Sequence, residues 1–181
     1  LQDYLNNKEK LSDISAQKDE KTINDLSSKI IKLGDKPNLD NKDQKGLIKD
    51  LSKQLEQLNV QNILKDKSKN KIKDEKINGI NVRFQTVEGL PPKDLRKLVD
   101  QGKKDLVEGL IIVFASQDNK VGLAIGITEK LTTKYDAVKF AKLGSEITGG
   151  KGGGGRKDFA QAGGQDVSKI GDALKRIKEL I

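Results

Sequence analysis

Apolar residues follow two different rhythms along this chain. In the first, Ile23, Leu26, Ile30 and Leu33 recur at spacings of 3, 4 and 3, and so do Ile48, Leu51, Leu55 and Leu58. That is an amphipathic-helix stripe with a heptad-like seam, and it predicts two long helices. Between them, Leu33-Gly34-Asp35-Lys36-Pro37-Asn38 places a glycine able to take the left-handed conformation that closes a helix, then a proline that cannot continue one. Asp40 or Asn41 is the expected cap of the second helix. A stripe one or two residues wide buries little alone. The helices therefore need each other, a second subunit or a neighbouring domain, unless the segment is a solvated spacer.

The second rhythm begins near residue 80. Ile80, Val82, Phe84 and Thr86 alternate with Asn81, Arg83, Gln85 and Val87, as in a strand with one buried face. Gly89-Leu90-Pro91-Pro92 then opens a helix marked by Leu95, Leu98, Val99 and Leu106. The run 109–115 (GLIIVFA) is continuously apolar, as a strand covered on both faces must be. Gln117-Asp118-Asn119-Lys120 turns it into 121–127 (VGLAIGI), which predicts an antiparallel hairpin at the centre of a sheet. Ala137, Phe140, Ala141, Gly144 and Ile147 have helical spacing. So do Val167, Ile170, Ala173, Leu174, Ile177 and Leu180 near the C-terminus.

The expected fold is α/β: a small mixed sheet with packed helices and a glycine-rich loop, preceded by an elongated α-helical, coiled-coil-like subdomain. The run 66–78 (DKSKNKIKDEKIN) has almost no apolar content, so the boundary is placed near residue 77. Residues 1–76 then form the helical subdomain and residues 77–181 the globular domain.

Composition narrows the chemistry. With no His and no Cys, the chain cannot build a His-based acid/base relay, a Cys nucleophile, a disulfide or a Zn site of the usual His/Cys type. Lys and Arg total 35 against 27 acidic residues, a net charge of +8, which suits an anionic partner. Lys outnumbers Arg 31 to 4, however, so codon bias accounts for some of the excess. No apolar run is long enough for a membrane span or a signal peptide, which makes a cytoplasmic location the expectation. The chain begins at Leu1 and contains no Met, as expected of a piece of a longer polypeptide.

The segment 149–164 (GGKGGGGRKDFAQAGG) holds 8 of the 18 glycines. Glycine runs are commonly flexible linkers. This one lies between two helices of one domain, contains no Ser and continues into an ordered mixture of small and charged residues. Bare backbone there can wrap a phosphate or press against a flat base pair, with Lys151 and Arg156 supplying charge. Nucleotide-loop motifs fit badly. A helix precedes the G-x-G-x-x-G spacing, and a Walker loop would need glycine where Ser145 stands.

The glycine run, Arg156, Asp158, Ala160-Gln161-Ala162 and Gly163-Gly164 together resemble the signature of the C-terminal domain of alanyl-tRNA synthetase, in the DHH-associated domain group. The likeness extends upstream through Val87-Glu88-Gly89-Leu90 and Asp94-Leu95-Arg96, and covers about residues 77–181. The departures are Lys151 inside a run commonly all glycine, Lys157 where proline is usual and Phe159 where methionine is usual.

The resemblance implies a non-catalytic tRNA-binding domain that recognises the tRNA elbow and helps couple aminoacylation and editing. Its implied RNA-binding residues are Gly149, Gly150, Lys151, Gly152, Gly153, Gly154, Gly155, Arg156, Lys157 and Gln161, with Gly153 expected to tolerate no side chain at the RNA surface. Its partners would be alanine tRNA, the other domains of the parent synthetase and a second copy bound through the helical subdomain, with no membrane. No cofactor is expected in this piece; ATP, Mg and Zn would belong to the parent's absent domains. Two other readings stay open. One is the nucleic-acid-binding domain of a DHH-type phosphoesterase, although those relatives usually carry His where Arg156 stands. The other is a structural oligomerisation module.

Overall fold

The computed structural model describes residues 2–41 and 43–181, with side chains described from residue 12 onward; Leu1, where the sequence starts, and Lys42 lie outside it. The chain divides into two compact units, Leu1–Asn62 and Ile63–Ile181.

The first unit is helical. Helix α1 (Gln2–Lys32) ends where predicted: Gly34, at φ 84, donates to Ile31 O, and the next amide, Asp35, donates to Ile30 O. This paired closure satisfies carbonyls the helix would leave open, and only glycine adopts that φ cheaply. Helix α2 (Gln44–Lys65) starts later than expected, and its cap is neither Asp40 nor Asn41. Asp43 Oδ2 accepts the Gly46 amide at 2.9 Å, while Asn41 Oδ1 accepts the Asp43 amide one step outside the helix. Only the residue directly before the first turn reaches the third helical amide. Gln54 ties the connection down, donating to Asp35 Oδ2 and Lys36 O and accepting from the Asn38 amide. Ile30 and Leu51, both on the predicted stripes, are fully buried.

The second unit is a mixed α/β layer around one six-stranded sheet, ordered β1-β2-β3-β4-β6-β5. The strands are β1 (Asn70–Ile77), β2 (Ile80–Glu88), β3 (Leu110–Gln117), β4 (Lys120–Ile127), β5 (Gly153–Arg156) and β6 (Phe159–Gly164). Among the described residues, only the β2–β3 pair is parallel. Its crossover is α3 (Leu95–Leu106), entered through a 3-10 turn at Pro92–Asp94. Helices α4 (Ala137–Ile147) and α5 (Ile170–Lys178) complete the unit.

Strand β1 corrects the expected boundary. The polar run 66–78 contains an edge strand, and residue 77 falls inside a hairpin between β1 and β2. Strand pairing there supplies hydrogen bonds without needing a buried side-chain face, so the composition stays that of a solvated segment. The usable signal is Asn78-Gly79, both at positive φ, which close a two-residue hairpin between Ile77 and Ile80. The same device, Asp118-Asn119 at φ 50 and 58, makes the β3–β4 turn that the sequence does predict.

Strands β3 and β4 are covered on both sides, which explains their unbroken apolar character. Val121, Leu123, Ile125 and Ile127 join Leu110, Ile112 and Phe114 in the main core with Phe140, Ala141, Ala173 and Ile177 of α4 and α5. On the other face, α3 packs on β3 and β4. A Cβ at Gly122 would stand 2.9 Å from Leu95, and one at Gly126 would collide with Val99, so these glycines set how closely α3 approaches. Leu180, expected on the buried side of the last helix, lies beyond the end of α5 and is exposed; Ile181 is buried instead.

Candidate nucleic-acid interface

The glycine segment divides into a turn, an edge strand and its partner. Gly149, at φ 73, follows α4, and Gly150 donates to Ser145 O at 2.7 Å. Ser145 is buried on α4. Its Oγ donates to Gly163 O at 2.6 Å and accepts the Gly152 amide at 3.1 Å, joining the start of β5 to the end of β6. Thr148 Oγ1 donates back to Gly144 O, while its carbonyl accepts the Gln165 and Asp166 amides. A run that reads as flexible in composition is thereby fixed at both ends.

Residues paired directly across an antiparallel ladder project on the same face. The pairs Gly154↔Gln161 and Arg156↔Phe159 continue into Ala124↔Gln161 and Gly126↔Phe159, so these residues share the face on which α3 lies. Helix α3 packs mainly on β3 and β4, reaching β6 through Arg96, whereas α4 covers β5 and β6 from the opposite side. The α3-side face of the β5–β6 hairpin is consequently open. Its floor is flat, because Gly154 and Gly163 are exposed and carry no side chains. A Cβ at Gly154 would meet nothing within 4 Å.

Cations border this floor. The Arg156 guanidinium is exposed and pairs through Nε with Asp158 Oδ1 at 3.2 Å. Arg96, from α3, stacks its guanidinium 5.1 Å from the centre of the Phe159 ring. Gln161 reaches toward Pro92 O at 3.5 Å. The Lys157-Asp158 turn is itself anchored: Lys157 O accepts the Ala137 amide, and Asp158 O accepts both the Ile127 amide and Lys103 Nζ.

Of the ten sequence-derived candidates, Gly154, Arg156 and Gln161 come together on the open face. Lys151 is exposed in the turn before β5, and Lys157 in the turn after it. The other glycines are used in packing or turning. A Cβ at Gly150 would strike Gly163 O; at Gly153, Gln161 O and Ala162; at Gly155, Phe159 O. Gly149, Gly152 and Gly155 hold positive φ. The expectation for Gly153 is therefore corrected: its missing side chain makes room for β6. Sequence reasoning misses Arg96 as a neighbour of this site and Lys103 as its buttress. Both lie more than forty residues from the glycine run in the chain, and no local pattern links them to it.

Among the described residues, no group of three or more acidic, His or Cys side chains could hold a metal ion. The glycine run leads into a strand rather than a helix N-terminus. No described helix is long and apolar enough to cross a membrane.

Residues 79–181 match the DHHA1 domain, and the chain belongs to that family. Within it, the similarity is to the C-terminal domain of alanyl-tRNA synthetase. The alanine–tRNA ligase of Parvibaculum lavamentivorans is 43% identical over 108 residues, 59% of this chain and 12% of that protein. That of Rhodopseudomonas palustris is 48% identical over 106 residues, 58% of this chain and 12% of that protein. The crystal structure of the C-Ala domain from Aquifex aeolicus alanyl-tRNA synthetase superimposes with TM-score 0.57 at 27% identity, over 60% of this chain and 96% of that one. The chain thus spans about 12% of the length of the ligases it matches.

Proposed function

We propose that this chain is the non-catalytic tRNA-binding portion of an alanine–tRNA ligase, and that the open face of its β5–β6 hairpin meets the tRNA elbow. The observation that carries the reading is the flat floor of Gly154 and Gly163, bordered by Arg156, Gln161 and the Arg96–Phe159 stack. An elbow presents an exposed tertiary base pair flanked by phosphates. Bare backbone accepts the flat surface, and guanidinium groups accept the phosphates, so shape is read rather than sequence. Binding there would hold alanine tRNA for aminoacylation and editing by domains of the parent that are not in this chain. The helical unit, with Ile14 and Ile31 exposed on α1, is proposed to carry the interface with a second copy.

The test is an affinity series with the 181-residue chain against folded tRNA, unfolded RNA of the same sequence and duplex DNA at physiological salt. Folded tRNA should bind most tightly. Gly154→Val should weaken that binding by filling the floor, and Arg156→Ala should cost about 1.5–3 kcal/mol, the range for a hydrogen bond to a charged group. Equal affinity for all three ligands, with Gly154→Val indistinguishable from the parent chain, would sink the elbow reading in favour of general polyanion binding. The purified chain should leave mischarged alanine tRNA intact; deacylation above a buffer control would show catalysis.

A further inference from the structure

Beside the open face, the β5–β6 turn, the end of β4 and the C-terminal end of α3 border an open cleft of about 690 Å³ lined by Lys103, Arg156 and Lys157 together with Thr128, Glu129 and Val107. We propose that this cleft is a phosphodiester site, and that it takes the backbone of the same RNA whose surface meets the β5–β6 face; the identity of the ligand rests on that reading.

Three cations converge on the cleft, against the carboxylates of Asp158 and Glu129. Asp158 is already committed, holding Arg156 at 3.2 Å and Lys103 at 3.5 Å. The excess is positive, and it is pre-oriented. Lys103 is mostly buried, and its ammonium is directed by the Asp158 carbonyl at 2.8 Å, so it loses little further freedom on meeting an anion. Arg156 spends Nε on Asp158, which leaves its terminal nitrogens as donors. Lys157 is exposed and makes no ion pair among the described residues. The hydroxyl of Thr128 is bound to the Gly109 backbone, so charge rather than hydroxyl donation recognises the ligand.

Val107, which lines the cleft, is an exposed β-branched residue at φ 57 and ψ −50, where the Glu108 amide turns back to Leu106 O at 2.5 Å. Such a γ-turn is strained for valine, and strain of this kind gathers at binding sites. Arg96 and Lys103 lie seven positions apart on α3, roughly 10 Å along the helix. Asp100 stands between them and pairs with Arg96 at 3.8 Å, so the two cations mark the ends of this stretch, one at the Phe159 ring and one at the cleft.

The experiment measures tRNA affinity of the full chain from low to high salt for Lys157→Ala, with Lys120→Ala in the distant β3–β4 turn as a control for removed charge and Gly154→Val as a probe of the face. A chain that neutralises one phosphate fewer has a slope of log affinity against log salt shallower by about 0.7–0.9. Lys157→Ala should lower the slope by about that amount, Lys120→Ala should not, and Gly154→Val should weaken binding at every salt with the slope kept. An unchanged slope in Lys157→Ala, or an equal drop in Lys120→Ala, overturns the cleft proposal even where Gly154→Val still weakens binding, so the two readings fail separately. A parallel titration with inorganic phosphate distinguishes the source. Saturation of the cleft by millimolar phosphate without competition against tRNA would make it a free-phosphate site and overturn the assignment.

Discussion

Ser145 shows how one hydroxyl can order a glycine run. Buried on α4, it donates to Gly163 O and accepts from the Gly152 amide, so its removal leaves two backbone groups short of partners. Ser145→Ala should cost about 1–3 kcal/mol in a urea denaturation series, with the circular dichroism spectrum of the native state retained. An unchanged midpoint would mean that water replaces the hydroxyl. The glycines divide in the same way. Gly153→Val should lower the melting temperature, because its Cβ lies on the Gln161 carbonyl and Ala162, whereas Gly154→Val should leave it within a degree or two. If both variants melt together, β5 is not packed as described.

Among the elements, β1 depends on charge more than on apolar burial. Arg83 of β2 donates to both carboxylate oxygens of Asp74 on β1 at 2.8 Å and to Asp105 on α3 at 2.5 Å, joining three elements. The hydrogen bonds from Arg83 hold both aspartates below their ordinary value of 3.8, and the carboxylates in turn push the guanidinium upward. A carboxylate whose pKa is lower in the folded state contributes stability above its unfolded pKa, and that contribution disappears as pH falls through the folded value. The triad therefore acts at neutral pH and fades below about pH 4. Arg83→Leu should reduce stability at pH 7 and flatten the acid limb of a stability–pH curve measured by denaturant midpoints. An acid limb as steep as that of the parent chain would place the acid sensitivity elsewhere, for instance at Asp66 or Asp166, whose serine hydrogen bonds lower them too.

At the scale of the whole molecule, the two compact units invite separate perturbation. Leu51 is fully buried in the helical unit, so Leu51→Lys places a charge where none is solvated and should reduce the helical signal while leaving tRNA binding by the sheet unit in place. Unchanged circular dichroism and sedimentation would make the helices a solvated spacer. The features legible in the chain are those set by local periodicity: the helical stripes, the buried β3–β4 hairpin and the 3.6-residue pattern of α3, α4 and α5. Burial selects apolar residues at fixed spacing, and spacing survives in one dimension. The edge strands β1 and β5 leave no such trace, because pairing a backbone demands no particular side chain. The glycine run announces its composition but not the division of labour within it. Gly153 and Gly155 face the opposite side of the ladder from Gly154, where a Cβ would strike β6, and which residues of the run face that side is settled only by the register of β5 on β6. The meeting of Arg96 with Phe159, and of Lys103 with Asp158, arises from a helix laid across strands far away in the chain, a proximity that exists only once the sheet has closed.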